Sequence, residues 1–236
     1  MEKFIRYARL RNSDFDCNDV LLPSAVLELF QDIAGEHADE INIGYKDLFA
    51  KKLIWVIVRT KLEILKNPKA YDNVKLITWP GEPRKIDSDR NYLMVDEKDE
   101  IIAKAVSRWV IVDYESRRIV KLKDIPFGDG VFVQEKLFDS LDKLEQIDVT
   151  SFIEVKSSYT DLDHNGHVNN TRYPIFMTSV IKELQNKIIT SMQIEYVKEI
   201  PANSTIKIGY ITKGNSIYVK GYVGEELSFY SLIEVK

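Results

Sequence analysis

Asp14-Phe15-Asp16-Cys17-Asn18 and Asp161-Leu162-Asp163-His164-Asn165 are two versions of one pentapeptide, 147 positions apart (14 against 161) in a chain of 236 residues. Each follows a stretch with strand character and precedes the only long apolar helical pattern of its half. Around the first copy, Phe4–Leu10 reads as a strand and Asn12–Asp19 as a polar loop. Pro23 then opens a helix, at a position where its missing N–H breaks no hydrogen bond. Val26, Leu29, Phe30, Ile33, Ala34, His37, Ala38 and Ile41 recur on one face of that helix. After Gly44 the pattern changes to β-branched and apolar runs over Leu53–Leu65, Asn73–Trp79, Arg90–Val95 and Ile101–Val112, separated by turn residues.

The second half repeats the plan. Ser151–Val155 reads as a strand, Asp161–Asn170 as a polar loop, and Tyr173, Phe176, Met177, Val180, Ile181 and Leu184 as one helix face. Asn169 or Asn170 can cap that helix, because a short side-chain oxygen accepts a free first-turn N–H. Strands are expected near Ile188–Val197, Thr205–Thr212, Ile217–Val223 and Leu227–Val235. Beyond the helix, Leu62-Glu63-Ile64-Leu65-Lys66-Asn67-Pro68 parallels Ile194-Glu195-Tyr196-Val197-Lys198-Glu199-Ile200-Pro201 with one residue inserted. Two copies of a β-α-β₄ unit account for both patterns. A curled antiparallel sheet around a buried helix satisfies each, since both need a cover. The expected division is a first domain over 1–128, a linker over 129–148 and a second domain over 149–236.

Composition narrows the function classes. The chain carries 33 basic and 37 acidic residues, a net charge of −4, without the basic excess of a nucleic-acid binder. One cysteine, Cys17, excludes an intrachain disulfide and a multi-cysteine metal site. The first residues, Met-Glu-Lys-Phe-Ile-Arg, hold charges and no apolar signal core. No apolar run approaches the ~20 residues that span a bilayer. A cytoplasmic protein with no membrane span is expected.

Chemistry concentrates in Asp161-Leu162-Asp163-His164-Asn165-Gly166-His167-Val168-Asn169-Asn170, which holds two of the three histidines. Asp161, Asp163, Asn165 and Gly166 match the first positions of a calcium loop, but Arg172 stands where that loop needs a bidentate Glu. His164 and His167 lack a third ligand nearby, so no metal and no cofactor is expected. The hydrolytic reading fits better. Alternate residues of a loop entering a helix can project together, which would align Asp163, Asn165 and His167. Imidazole exchanges protons near neutrality, a carboxylate orients a ring or a water, and an amide or helix N–H groups meet a developing oxyanion. The competing reading is a capping loop with a surface histidine. Comparison of the halves favours chemistry: Val20 takes the place of His167, and Lys66 or Asn67 that of Glu199.

With these residues in view, the run from Asp161 to Tyr173 resembles the signature of acyl-ACP thioesterases of the plant and bacterial fatty-acid type. Gln31–Ala38, Trp55-Val56-Ile57, Thr78-Trp79-Pro80, Ser107–Val110 and Ile194–Glu199 resemble further landmarks, so the likeness covers essentially the whole chain. It implies an α+β double hot-dog fold, two antiparallel curved sheets each wrapping a long central helix. It implies a catalytic set of Asp163, Asn165, His167 and Glu199, acting without metal on fatty acyl-ACP thioesters. Plant members often carry cysteine after the final glutamate; Ile200 stands there in this chain, which argues against an obligatory cysteine nucleophile. Cys17 reads as structural or incidental.

The resemblance also implies an acyl slot in the first hot-dog, with Val26, Phe30, Ile33, Trp55 and Ile57 as candidate lining; these same residues read equally as plain core. The implied partner is acyl carrier protein, acidic, for which Lys51-Lys52, Arg84-Lys85 and Arg117-Arg118 with Lys121 and Lys123 could form a docking surface. Coenzyme A is anionic too, so an acyl-CoA thioesterase, an enoyl-thioester hydratase and a non-catalytic acyl-binding protein stay open beside the acyl-ACP reading. Hot-dog sheets commonly pair edge to edge; the tandem supplies one such pairing, and a homodimer is left open.

Overall fold

A computed structural model describes residues 3–125, 132–185 and 187–236. The chain divides into two compact units, residues 1–60 with 65–141 and residues 61–64 with 142–236. The domain boundary expected after 128, and the first part of the linker expected over 129–148, lie outside the described residues.

The first unit contains β1 (Phe4–Arg9), α1 (Pro23–Glu40), α2 (Tyr45–Phe49), all but the last four residues of β2 (Leu53–Ile64), β3 (Asn73–Pro80), β4 (Asp87–Val95), β5 (Ile101–Asp113) and β6 (Arg118–Val120). Its strands run in the order β1-β3-β4-β5-β2, with β6 on β5. Residues opposed across an antiparallel pair share a face. The register Phe4↔Thr78, Thr78↔Tyr92 and Tyr92↔Ala105 therefore defines one layer of the inner face. Phe4 stacks on His37 and Phe30 on Tyr92, each pair with ring centres 5.1 Å apart, so this face is the one that covers α1. Val26, Phe30, Ile33 and His37 form the buried stripe of the 18-residue helix. Each large apolar side chain so buried contributes ~1.5–3 kcal/mol, more than helix propensity supplies.

The second unit contains β7 (Phe152–Lys156), α3 (Tyr173–Val180), β8 (Ile189–Tyr196), β9 (Thr205–Lys213), β10 (Ser216–Val223) and β11 (Glu226–Val235). The sheet order is β8-β11-β10-β9-β7, antiparallel throughout. Tyr173, Phe176 and Met177 of α3 pack with Met192, Ile194, Ile206, Ile208, Ile217, Val219, Phe229 and Ile233 in one apolar core. Gly221 is required there: a Cβ on it would lie 1.9 Å from the Phe229 ring.

Each unit is thus a helix against an antiparallel sheet, the α+β double hot-dog arrangement. Three details differ from the sequence reading. α3 has 8 residues, so the second helix is not long. The backbone turns extended at Ile181 (ψ 97°), and a separate 3-10 turn spans Lys182–Leu184. Thr178 and Ser179 bond back to the carbonyls of Pro174 and Ile175, a habit that weakens the last turn. α2 has no counterpart in the sequence reading, and β6 with a 3-10 turn at Leu122–Asp124 lies beyond Ile101–Val112, the last strand expected in the first half. Among the described residues no helix is long and apolar enough to cross a membrane.

Candidate active site

The loop between β7 and α3 is built from backbone requirements before any chemistry enters. Asp161 closes a 3-10 turn, its Oδ2 accepting the N–H of Ser158 at 2.7 Å. Asp163 then organises a tight reversal. Its N–H donates to the His167 carbonyl at 2.8 Å, and its carbonyl accepts from Gly166 at 3.1 Å. Its Oδ1 accepts the N–H of Asn165 at 2.8 Å and of His167 at 3.3 Å, the side-chain mimicry of a turn that Asp performs well. Gly166 sits at φ +80°, where a Cβ would be strained. Asn169 follows as a cap, its Oδ1 accepting from the N–H and Oγ1 of Thr171 at 3.0 Å.

The loop is fastened to the segment after β8. Val168 N–H donates to the Ile200 carbonyl at 2.9 Å, and His167 forms a β-bridge with Pro201. This fastening brings His167 Nε2 to 3.3 Å from Glu199 Oε2. Both side chains are partly open to solvent, His167 at 27% and Glu199 at 40%. A carboxylate only accepts, so a neutral ring that donates to Glu199 holds its proton on Nε2 and keeps its lone pair on Nδ1. The pair can take a proton from water at one site and return it to a leaving group.

Beneath lies Tyr173, 1% exposed, its ring edge-on to Tyr196 and Phe229 with ring centres 5.0 Å away in each case. Burial drives its phenol well above the usual range; Tyr196 and the charges of Glu199 and Asp163 push the same way. It stays protonated and serves as a neutral floor. Tyr196 donates its hydroxyl to the Asn170 carbonyl at 3.3 Å, a second tie between the strand leading to Glu199 and the loop bearing His167.

Of the four residues singled out, the structure pairs them two and two rather than in one row. His167 faces Glu199. Asn165 is exposed and turns its Nδ2 to Asp163 Oδ2 at 3.3 Å. Asp163 is already engaged by the loop it shapes. Val26, Phe30 and Ile33 are buried on α1, and Ile57 is buried on β2. Trp55, also on β2, packs against the small cluster of Leu48, Ile111, Leu122 and Ile125 and donates its Nε1 to the Ile43 carbonyl at 3.0 Å. The reading of side chains alone missed the Ile200 carbonyl and Pro201, which act through backbone. The residue inserted beside Glu199 relative to Lys66-Asn67-Pro68 was the signal for them. Among the described residues no cluster of three or more His, Cys, Asp or Glu could hold a metal.

Residues 2–125 match the family model for the acyl-ACP thioesterase N-terminal domain, and residues 144–225 that for its C-terminal domain. An oleoyl-acyl carrier protein thioesterase of Coriandrum sativum is 27% identical over 216 residues, covering 83% of this chain and 56% of that protein. A palmitoyl-acyl carrier protein thioesterase of Arabidopsis thaliana is 30% identical over 172 residues, covering 68% of this chain and 42% of its own length. The chain thus spans only about half the length of these chloroplastic relatives. An acyl-ACP thioesterase from Bacteroides thetaiotaomicron shares the fold with a TM-score of 0.86 at 23% identity, over 98% of this chain and 97% of that one. The 12:0-ACP thioesterase of Umbellularia californica does so with 0.82 at 22% identity, over 99% and 97%. With one domain model matched in each half, the chain belongs to the acyl-ACP thioesterase family.

Proposed function

We propose that this protein hydrolyses fatty acyl thioesters carried on acyl carrier protein, releasing a free fatty acid and the carrier thiol without a metal. The observation that carries the reading is the His167–Glu199 pair, 3.3 Å apart at the rim of the second unit. Water held by this pair adds to the thioester carbonyl carbon as its proton passes to the pair. The C–S bond then breaks, and the departing thiolate takes that proton. Asn165 keeps one amide hydrogen beyond its bond to Asp163 and can meet the oxyanion. Asp163 acts as the positioning residue of His167 in this scheme, because both its oxygens already accept hydrogen bonds within the loop.

The acyl chain lies in the first unit along Val26, Phe30 and Ile33 of α1, with Trp55 and Ile57 on β2. The basic pairs Lys51-Lys52, Arg84-Lys85 and Arg117-Arg118, with Lys121 and Lys123, serve the acidic carrier, although Arg84 also engages Asp87 and Asp89. A cytoplasmic setting belongs to the same reading. The thioesterase activities for which the relatives are named support hydrolysis. The test is thiol release from matched acyl-ACP and acyl-CoA of graded chain length. Release from acyl-ACP at the higher kcat/KM is expected. A 3-hydroxyacyl product without free thiol would replace this reading with hydration, and binding without turnover would leave an acyl-binding protein.

A further inference from the structure

One strand of the first unit treats its arginines in two ways. On the outer side of β4, Asp89 receives Arg84 at 2.7 Å and Arg108 at 2.8 Å, two ordinary ion pairs. The next residue, Arg90, points to the inner face and is 8% exposed. Among the described residues no carboxylate pairs with it, and Tyr92 is the only ionisable neighbour that favours its charge. Its single hydrogen bond joins Nη1 to Nδ1 of His37 at 3.1 Å. A guanidinium only donates, so His37 Nδ1 accepts and the ring proton sits on Nε2. Burial first, and then the charge of Arg90, push His37 down to about 4, so it adds no second charge at neutral pH. Nε and Nη2 of Arg90 form no hydrogen bond to the described residues. A buried charge left in that state is expensive unless something compensates it.

The position matters as much as the charge. Val26, Phe30, Ile33 and His37 are spaced four, three and four residues apart, the spacing of one helix face. His37 ends that stripe, ~16 Å from Val26 at the rise of an α-helix. Across from it, Arg90 is one inner-face step along β4 from Tyr92, which stacks on Phe30. Opposite these lie small residues, Ser107 facing Arg90 and Ala105 facing Tyr92; the Ser107 Oγ meets the Tyr92 hydroxyl at 2.8 Å and accepts from Trp109 Nε1 at 2.6 Å.

We propose that Arg90 and His37 form a donor subsite at the far end of the α1 stripe, taking a carboxylate or another acceptor oxygen at the distal end of an aliphatic chain. The proposal rests on reading Val26, Phe30 and Ile33 as the acyl slot. Two sources share this chemistry: the ω-carboxyl or ω-oxygenated end of an acyl thioester, and the carboxylate of a free fatty acid.

The experiment compares pantetheine thioesters ending in methyl with those ending in carboxyl, over a graded series of lengths, on the wild-type protein and on Arg90→Met and Arg90→Lys. A charge-assisted hydrogen bond predicts that at one length the carboxyl-ended ester gains about 10-fold or more in kcat/KM relative to neighbouring lengths. That ratio falls to about 1 in Arg90→Met and to an intermediate value in Arg90→Lys. Calorimetric titration with matched mono- and dicarboxylic acids runs beside it and needs no turnover. Arg90-dependent binding of the monoacid alone assigns the subsite to free fatty acid. Absence of a carboxyl preference at every length, together with acid binding unaffected by Arg90, overturns the proposal. Should the substituted proteins fail to fold, the wild-type length series and titration decide alone. Acid binding without thiol release from any ester would refute the hydrolase reading while leaving the subsite standing.

Discussion

The loop over 14–22 in the first unit and the loop over 161–169 in the second have nearly the same backbone and opposite chemical equipment. Asp16 accepts the N–H groups of Asn18 and Val20 at 2.8 and 2.9 Å, as Asp163 accepts those of Asn165 and His167. Asp16 N–H reaches the Val20 carbonyl at 2.9 Å, matching Asp163 and His167 at 2.8 Å. Asp19 stands at φ +58° where Gly166 stands at +80°. Even the bridges correspond, Phe15 with Leu21 and Leu162 with Val168. The fastening differs. In the first loop the Asn67 side chain accepts from Leu21 N–H and donates to the Asp19 carbonyl, each at 2.8 Å. In the second, the inserted residue lets the Ile200 carbonyl do the first job, and Glu199 is left to face His167. The aspartate-centred turn is therefore scaffold, and the candidate chemistry comes from a few exchanges upon it.

The largest effect should follow from making the second loop like the first. His167→Val is expected to lower kcat by about 10²–10⁴-fold, the range of general acid–base contributions, with the melting temperature nearly unchanged because the ring is partly exposed. Glu199→Gln should act through the same step. Steady-state thiol release checks both; near-wild-type turnover in either would remove the pair from the mechanism.

Next comes the aspartate the loops share. Asp16→Ala and Asp163→Ala each strip a turn of its acceptor and should each lose about 1–2 kcal/mol of stability. Only the Asp163 change should also reduce turnover, because only that turn carries His167. Asp163→Asn keeps an acceptor oxygen and should retain a large part of kcat. A nucleophilic carboxylate would behave differently, with the Asn variant as inactive as the Ala variant. Paired urea unfolding and kinetics separate the two.

These contrasts show what the sequence made legible. The repeat, the strands and α1 could be read because each is long enough for periodicity to speak. Glu199 stands out in the sequence because the first half has Lys66 or Asn67 in its place. α2 has 5 residues, too few for a periodic signal. The early end of α3 depends on Thr178, Ser179 and the extended Ile181, whose hydrogen bonds are choices made by the folded chain. The pairing of Asp163 with Asn165 is not legible in the sequence, because alternation describes extended chain and this segment turns. Arg90 could have been found: Ser88, Arg90, Tyr92 and Met94 alternate with period two in β4, all buried, which places a cation on a core face.

A second contrast lies beneath the helices. The second unit's core is apolar, whereas the first buries His37 against Arg90. His37 titrates at about 4 in the fold, lowered by burial and then by Arg90, against ~6.5 unfolded. Between these values the unfolded chain binds a proton that the native chain does not, so stability falls as pH falls. The loss between pH 7 and pH 5 should be about 2 kcal/mol from this residue. Urea unfolding of wild type and His37→Gln at both pH values measures it; equal slopes in the two proteins would show that His37 is not the titrating group.

The smallest effect returns to the turns. A Cβ added at Gly166 meets nothing within 4 Å, so Gly166→Ala tests the backbone conformation without a clash. It should lose about 1 kcal/mol, the penalty of an L-residue in left-handed backbone. Asp19→Gly in the matching position should change stability by less than about 0.5 kcal/mol, because Asp tolerates that conformation and glycine adds unfolded-state entropy that offsets any relief. Thermal melts of both variants decide the matter. If Gly166→Ala proved neutral while Asp19→Gly stabilised the protein, glycine would be in the second loop to keep space open beside His167, and the two turns would owe their likeness to different constraints.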